Sequence, residues 1–108
     1  MSAYKVASRY AKSLLELAVE KKELDQVKLD MTTVLSLNAG DSSFSDMVKS
    51  PVISSDKKLA VLKSLIGKNA SALTLKFFDL VVEKGRTGFL PDMATAFLRL
   101  YNDHLGIQ

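Results

Sequence analysis

Val81-Val82-Glu83-Lys84-Gly85-Arg86 closes an apolar run and leads into Thr87-Gly88-Phe89-Leu90-Pro91. Gly85 is a natural left-handed terminator, and Pro91 loses nothing in the first turn of a following helix, where its missing amide hydrogen has no partner anyway. Upstream, Leu73, Leu75, Phe77, Phe78, Leu80, Val81 and Val82 spread around most of a helical circumference, in a segment that starts at Asn69 or Ser71. A helix that is apolar on nearly every side must be covered nearly all round, by its own domain or by a partner. Downstream, Met93, Ala94, Phe97, Leu98 and Tyr101 give the buried stripe of a last helix that begins between Gly88 and Pro91.

The same period runs back to the N-terminus, and no segment alternates in the manner of a strand for long. From Ala3 to about Lys21, the residues Ala7, Ala11, Leu14, Leu15 and Ala18 form one face, whose alanines let a neighbouring helix approach closely. Val6, Tyr10, Ser13 and Leu17 form an adjoining stripe, so the apolar arc is wider than one packing contact requires. A second helix runs from Glu23 or Leu24 to Leu37 with Leu24, Val27, Met31, Val34 and Leu35 inward, and Asn38-Ala39-Gly40 is its stop. Asp41 or Ser42 caps a short third helix through Phe44, Met47 and Val48, which Pro51 ends. Ser54 or Ser55 caps a fourth, with Leu59, Val61, Leu62, Leu65 and Ile66 as apolar positions and Gly67 at its end. Six helices joined by short loops make an all-α, compact six-helix bundle, one domain over residues 1–108.

Composition narrows the function. The net charge of +3 (15 basic, 12 acidic) is small and interspersed, where a nucleic-acid module would concentrate it in a stripe. Cysteine is absent, which excludes disulfides and thiolate chemistry. No apolar run approaches the roughly 18–20 residues that cross a bilayer, and the N-terminus has neither a signal-peptide core nor a glycine for myristoylation, so membrane association would be indirect. His104, the single histidine, reads as a surface residue near the chain end. Asp92 and Asp103 are about three turns apart on one helix, too far for a paired-carboxylate site. Gly85-Arg86-Thr87-Gly88 lacks the glycine spacing and Lys-Ser/Thr ending of a phosphate loop. Neither a catalytic group, a metal site nor a cofactor is implied.

Two readings stay open from the residues. In the first, Tyr10, Ser13 and Leu17 on the first helix face a stripe of Leu73, Lys76, Phe77, Leu80 and Lys84 on the fifth, and together they receive a partner's amphipathic helix. Periodicity alone also permits both stripes to be interior. In the second, Lys21, Lys22, Lys57, Lys58, Lys63 and Lys68 make a small basic RNA-binding module, although stacking aromatics are not interleaved with them. Oligonucleotide binding would fall steeply with salt, whereas an apolar groove would respond weakly.

Three segments also carry a family resemblance. Ala7-Ser8-Arg9-Tyr10-Ala11-Lys12-Ser13-Leu14-Leu15-Glu16-Leu17-Ala18, then Ser50-Pro51-Val52-Ile53 with Lys57-Lys58, then Phe77 through Arg86 and on through Leu90-Pro91 to Phe97, appear in order across essentially the whole chain. Together they resemble the delta subunit of the F-type ATP synthase, the oligomycin-sensitivity-conferring protein family. The resemblance implies an N-terminal six-helix domain at the top of the catalytic head, non-catalytic, holding the N-terminal helix of an alpha subunit between its first and fifth helices. It carries that docking role to Tyr10, Ser13 and Leu80, and by extension to Leu17, Lys76, Phe77 and Lys84. Where relatives often have alanine after Tyr-Ala-Lys, this chain has Ser13, which changes the polarity of that contact. Members of the family continue into a C-terminal region that engages the b subunits of the peripheral stalk, and the expectation is that this chain lacks it. The implied setting is a peripheral membrane complex at the cytoplasmic face of a bacterial inner membrane, or its organellar equivalent. The isolated domain is expected to be a monomer that binds no nucleic acid.

Overall fold

A computed structural model describes residues 2–106; Met1 and the Ile107–Gln108 end lie outside the described residues, and with them both extremes of the expected 1–108 span. The elements are α1 (Ala3–Glu20), α2 (Leu24–Gly40), α3 (Ser42–Lys49), α4 (Ser55–Ile66), α5 (Ala72–Glu83), a 3-10 turn (Thr87–Phe89) and α6 (Leu90–His104). Among the described residues there is no strand, and the all-α six-helix architecture expected from periodicity is the one observed.

Short polar side chains set most of the helix starts. Ser2 Oγ accepts from the Lys5 amide at 3.2 Å, Asp41 Oδ1 from Ser43 at 2.8 Å, Ser54 Oγ from Lys57 at 3.2 Å and Ser71 Oγ from Leu73 at 3.0 Å, each satisfying a donor that the first turn leaves unpaired. The expected stop at Asn38-Ala39-Gly40 is displaced: α2 runs through Gly40, and the chain leaves the helix at Asp41, whose backbone is extended (φ −141°, ψ 105°). Asp41 thus ends α2 and caps α3 with its own carboxyl group. After α3, Ser50 Oγ accepts from the Val52 and Ile53 amides and folds the chain around Pro51.

The ends of α5 and α1 are built alike but from different residues. Gly85, at φ +69°, donates to the Val82 carbonyl (3.0 Å) while Arg86 donates to Val81 (2.9 Å), a left-handed cap that closes the last turn. At the end of α1 the same pair of bonds runs from Lys22 to Val19 (3.2 Å) and from Glu23 to Ala18 (2.9 Å). The residue in the left-handed position there is Lys22, at φ 59°, where a Cβ is unfavourable.

The core is assembled around α6, which packs chiefly on α1 and α2. Ala7, Ala11 and Ala18 of α1 are buried together with Ala94 and Ala96 of α6, so the two helices meet through small side chains. Phe78 and Phe97, with Leu14, Met31, Leu62, Leu90 and Met93, fill the interior. Tyr101 stacks on Phe97 with ring centroids 6.5 Å apart, and Lys28 Nζ stands 5.8 Å from its centroid, joining α6 to α2. Along the adjoining stripe of α1, Val6 is buried while Leu17, about three turns on, is 41% exposed. Leu65, expected inward, is 50% exposed: α4 packs on α5 and to a lesser extent on α2, and its second stripe has no cover.

One buried polar cluster was not anticipated. Asp30 of α2 is 4% exposed, and its carboxyl oxygens accept from Gln26 Nε2 (2.8 Å), the Ser71 amide (2.9 Å) and Thr74 Oγ1 (2.6 Å). Ser71 is the N-cap of α5 and Thr74 its third residue. In a capping box an acidic or amide side chain at that third position reaches back to the N-cap amide. Here Asp30 makes that bond from another helix, and so fixes α5 on α2.

These contacts set the stability expected of three variants. Lys22→Gly is expected to raise unfolding free energy by about 0.5–1 kcal/mol and Gly85→Ala to lower it by about 1 kcal/mol, as read by urea titration. Asp30→Ala leaves the Ser71 and Thr74 donors buried without an acceptor and is expected to cost about 2–4 kcal/mol in the same titration.

Candidate functional site

This packing leaves an apolar groove of about 380 Å³ between α1 and α5. From α1 it is lined by Arg9, Tyr10, Ser13, Leu14, Leu17 and Lys21, and from α5 by Leu73, Lys76, Phe77 and Leu80. The positions follow helix geometry. Residues 9, 13, 17 and 21 form one i,i+4 row, with 10 and 14 beside it, while 73, 76, 77 and 80 share one face of α5.

Its floor and its lips differ in burial. Leu14, Leu73 and Phe77 belong to the core and form the floor. Tyr10 meets Phe77 edge-on, with centroids 6.4 Å apart and planes at 69°, and bridges the two helices. Leu17 and Leu80 stand at the lips, 41% and 42% exposed. Covering each would be worth roughly 1 kcal/mol, about half the value of burying a leucine outright. The lining surface is mainly aliphatic and aromatic, with the Tyr10 and Ser13 hydroxyls and three cationic side chains as its polar groups.

Six of the seven residues singled out from sequence therefore come together: Tyr10, Ser13, Leu17, Lys76, Phe77 and Leu80. Lys84 does not line the groove. It is the C-cap of α5, four positions past Leu80, and the turn at Gly85 carries the chain away directly afterwards. Sequence reasoning missed Arg9 and Lys21, although both extend the Ser13–Leu17 row by one helical turn. It took that row for its apolar members alone.

The other candidates are dispersed. Among the basic residues weighed for RNA, Lys63 pairs with Asp79 at 3.2 Å and Lys58 donates to the Val48 carbonyl at 3.3 Å. Lys22 occupies the left-handed cap of α1, and Lys57 and Lys68 are exposed on or beside α4. His104 is exposed at the end of α6, and Asp92 and Asp103 are exposed along it. Among the described residues no three His, Cys, Asp or Glu side chains are grouped to hold a metal ion, and no helix is long and apolar enough to cross a membrane.

Comparison with known proteins bears on the whole chain. Residues 6–108 match the family described as ATP synthase delta (OSCP) subunit. An ATP synthase subunit delta of Cytophaga hutchinsonii is 33% identical over 108 residues, covering 100% of this chain and 59% of that protein. One from Symbiobacterium thermophilum is 39% identical over 107 residues, covering 99% and 58% respectively. A chloroplastic ATP synthase subunit delta of Ochrosphaera neapolitana is 38% identical over 100 residues, 93% of this chain and 56% of that protein. The chain thus spans rather more than half the length of these relatives. The similarity runs through every helix that builds the groove, and on that basis the chain belongs to the ATP synthase delta (OSCP) subunit family.

Proposed function

We propose that this chain is the head-binding, N-terminal domain of a delta subunit, and that α1 and α5 hold the N-terminal helix of an ATP synthase alpha subunit. In that role it ties the peripheral stalk to the catalytic head and supports proton-driven ATP synthesis without contributing a catalytic group. Engagement of the b subunits belongs, on this reading, to the part of the relatives that lies beyond the matched region. The setting is a peripheral one, on the cytoplasmic face of a bacterial inner membrane or the organellar equivalent.

One observation carries the proposal. Two segments far apart in sequence, around Arg9–Leu17 and Leu73–Leu80, make the facing walls of one apolar groove whose lips are exposed leucines. An amphipathic helix buries its stripe in such a groove through anchors at i, i+3, i+4 and i+7. Small-molecule clefts of similar size orient their ligands with convergent polar groups, and this floor has none. A joint that resists rotor torque must stay bound for long times, so its affinity is set mainly by slow dissociation. Nanomolar affinity corresponds to about 12 kcal/mol, within reach of a groove with a few well-buried anchors.

Titration of a synthetic alpha-subunit N-terminal peptide into the 15N-labelled domain is expected to shift the amides of α1 and α5 selectively. Leu80→Asp places a carboxyl group at the lip and is expected to weaken binding about 100-fold or more, with the helical circular dichroism unchanged. Normal binding by that variant would mean that the helix docks elsewhere.

A further inference from the structure

We infer that the helix occupying the α1–α5 groove carries its apolar stripe between carboxylate side chains, one toward each end facing Arg9 and Lys21 and one on the opposite edge facing Lys76. The inference rests on the groove reading proposed above and deepens it by specifying the charge pattern of the partner.

Charge and spacing are the basis. Three cations line the groove and no carboxylate does. The acidic residues of the same two helices, Glu16 and Glu20 on α1 and Asp79 and Glu83 on α5, all lie off the lining. Asp79 is already paired with Lys63, while Arg9, Lys21 and Lys76 have no ion-pair partner among the described residues. A side chain that projects from a groove wall with its charge uncompensated favours an occupant of opposite sign and rejects one of like sign.

The geometry sets where the occupant's charges fall. Arg9 and Lys21 stand twelve positions apart, about 18 Å along α1, and the facing stretch Leu73–Leu80 on α5 is about 10 Å long. An occupant lying along α1 is therefore engaged over about three turns. Its middle meets Leu14, Leu17, Leu73, Phe77 and Leu80, and its two ends meet the two cations of α1. Lys76 stands on the α5 wall, next to the Phe77 that meets Tyr10, and addresses the opposite edge of the helix. A nucleic-acid strand fits this pattern poorly: Tyr10, the one aromatic at the rim, is half-buried against Phe77, which leaves no open ring for a base to stack on.

The cations are at a solvated rim, so they act mainly on the association rate and on the salt response, while the leucine and phenylalanine contacts set the dissociation rate. The weak salt response expected of a purely apolar groove is accordingly replaced by a moderate one.

The test uses R9E/K21E/K76E, the alpha-subunit N-terminal peptide, and the same peptide with its carboxylate residues changed to lysine. At about 50 mM NaCl the variant is expected to bind the unmodified peptide about 10–100-fold more weakly, through slower association, and the lysine peptide more tightly by a comparable factor. For the unmodified domain, peptide affinity is expected to fall about 3–10-fold between 50 and 300 mM NaCl. If R9E/K21E/K76E keeps its helical signal and binds the unmodified peptide normally while Leu80→Asp does not, the charge pattern is wrong and the groove stands. If Leu80→Asp also binds normally, the groove itself is wrong. Should the charge-reversed variant lose its helical signal, R9Q/K21Q/K76Q takes its place, and salt-dependent peptide binding by that variant overturns the inference. A short single-stranded oligonucleotide that binds the unmodified domain more tightly than the peptide, and is lost in R9E/K21E/K76E, replaces a helix with nucleic acid as the occupant.

Discussion

The position of α5 depends on one side chain that does not belong to it. Asp30, buried on α2, accepts from the N-cap amide and the third residue of α5, so the start of that helix is held by a bond across 41 positions of sequence. Asp30 therefore converts the loose requirement that α5 be covered on most sides into a definite placement. The groove inherits that placement, because its α5 wall begins at Leu73, two residues beyond the capped Ser71. A carboxyl group is tolerated in the interior because each of its oxygens is satisfied, and an unsatisfied one would cost more than the apolar residue it displaces.

Function on this reading comes from packing that stops short of completion. The small side chains between α1 and α6 let those helices satisfy one another and leave the other side of α1 unused. The circumference of α5 exceeds what α4, α2 and α1 can cover. Part of the remainder forms one trough, across which Tyr10 and Phe77 make an aromatic contact between the two helices. Such a trough is useful to a subunit whose relatives are parts of a larger complex, and it is a liability to an isolated chain.

Much of this was legible in the amino-acid order, for reasons that can be named. Gly85 and the serines at 54 and 71 announce helix ends because their backbone and side-chain preferences are local. The 3.6-residue period of α1 and α5 exposes both groove walls. What was not legible depended on distant partners. Asp30 stands beside Val27 and Met31 on a buried face, and an acidic residue there looks like an interruption until Ser71 and Thr74 are brought to it. Nothing in Lys21-Lys22-Glu23 declares a left-handed turn, since lysine adopts one only when the surrounding bonds compel it. Val6 is buried and Leu65 exposed because a periodic stripe says which residues share a face and not whether a neighbour covers it. Arg9 and Lys21 were passed over because charge at the end of an apolar row reads as solvation.

The separation of Asp30 from Ser71 also bears on how the protein is made. At the usual rate of about 5–20 residues per second, roughly 2–8 seconds of translation pass between the two. During that interval α1 and α2 lack α6, their principal packing surface, and Asp30 can accept only from Gln26 of its own helix. The groove can exist only once synthesis has passed α5. On the proposed reading, a partner helix supplied earlier would meet the α1 wall without its α5 counterpart.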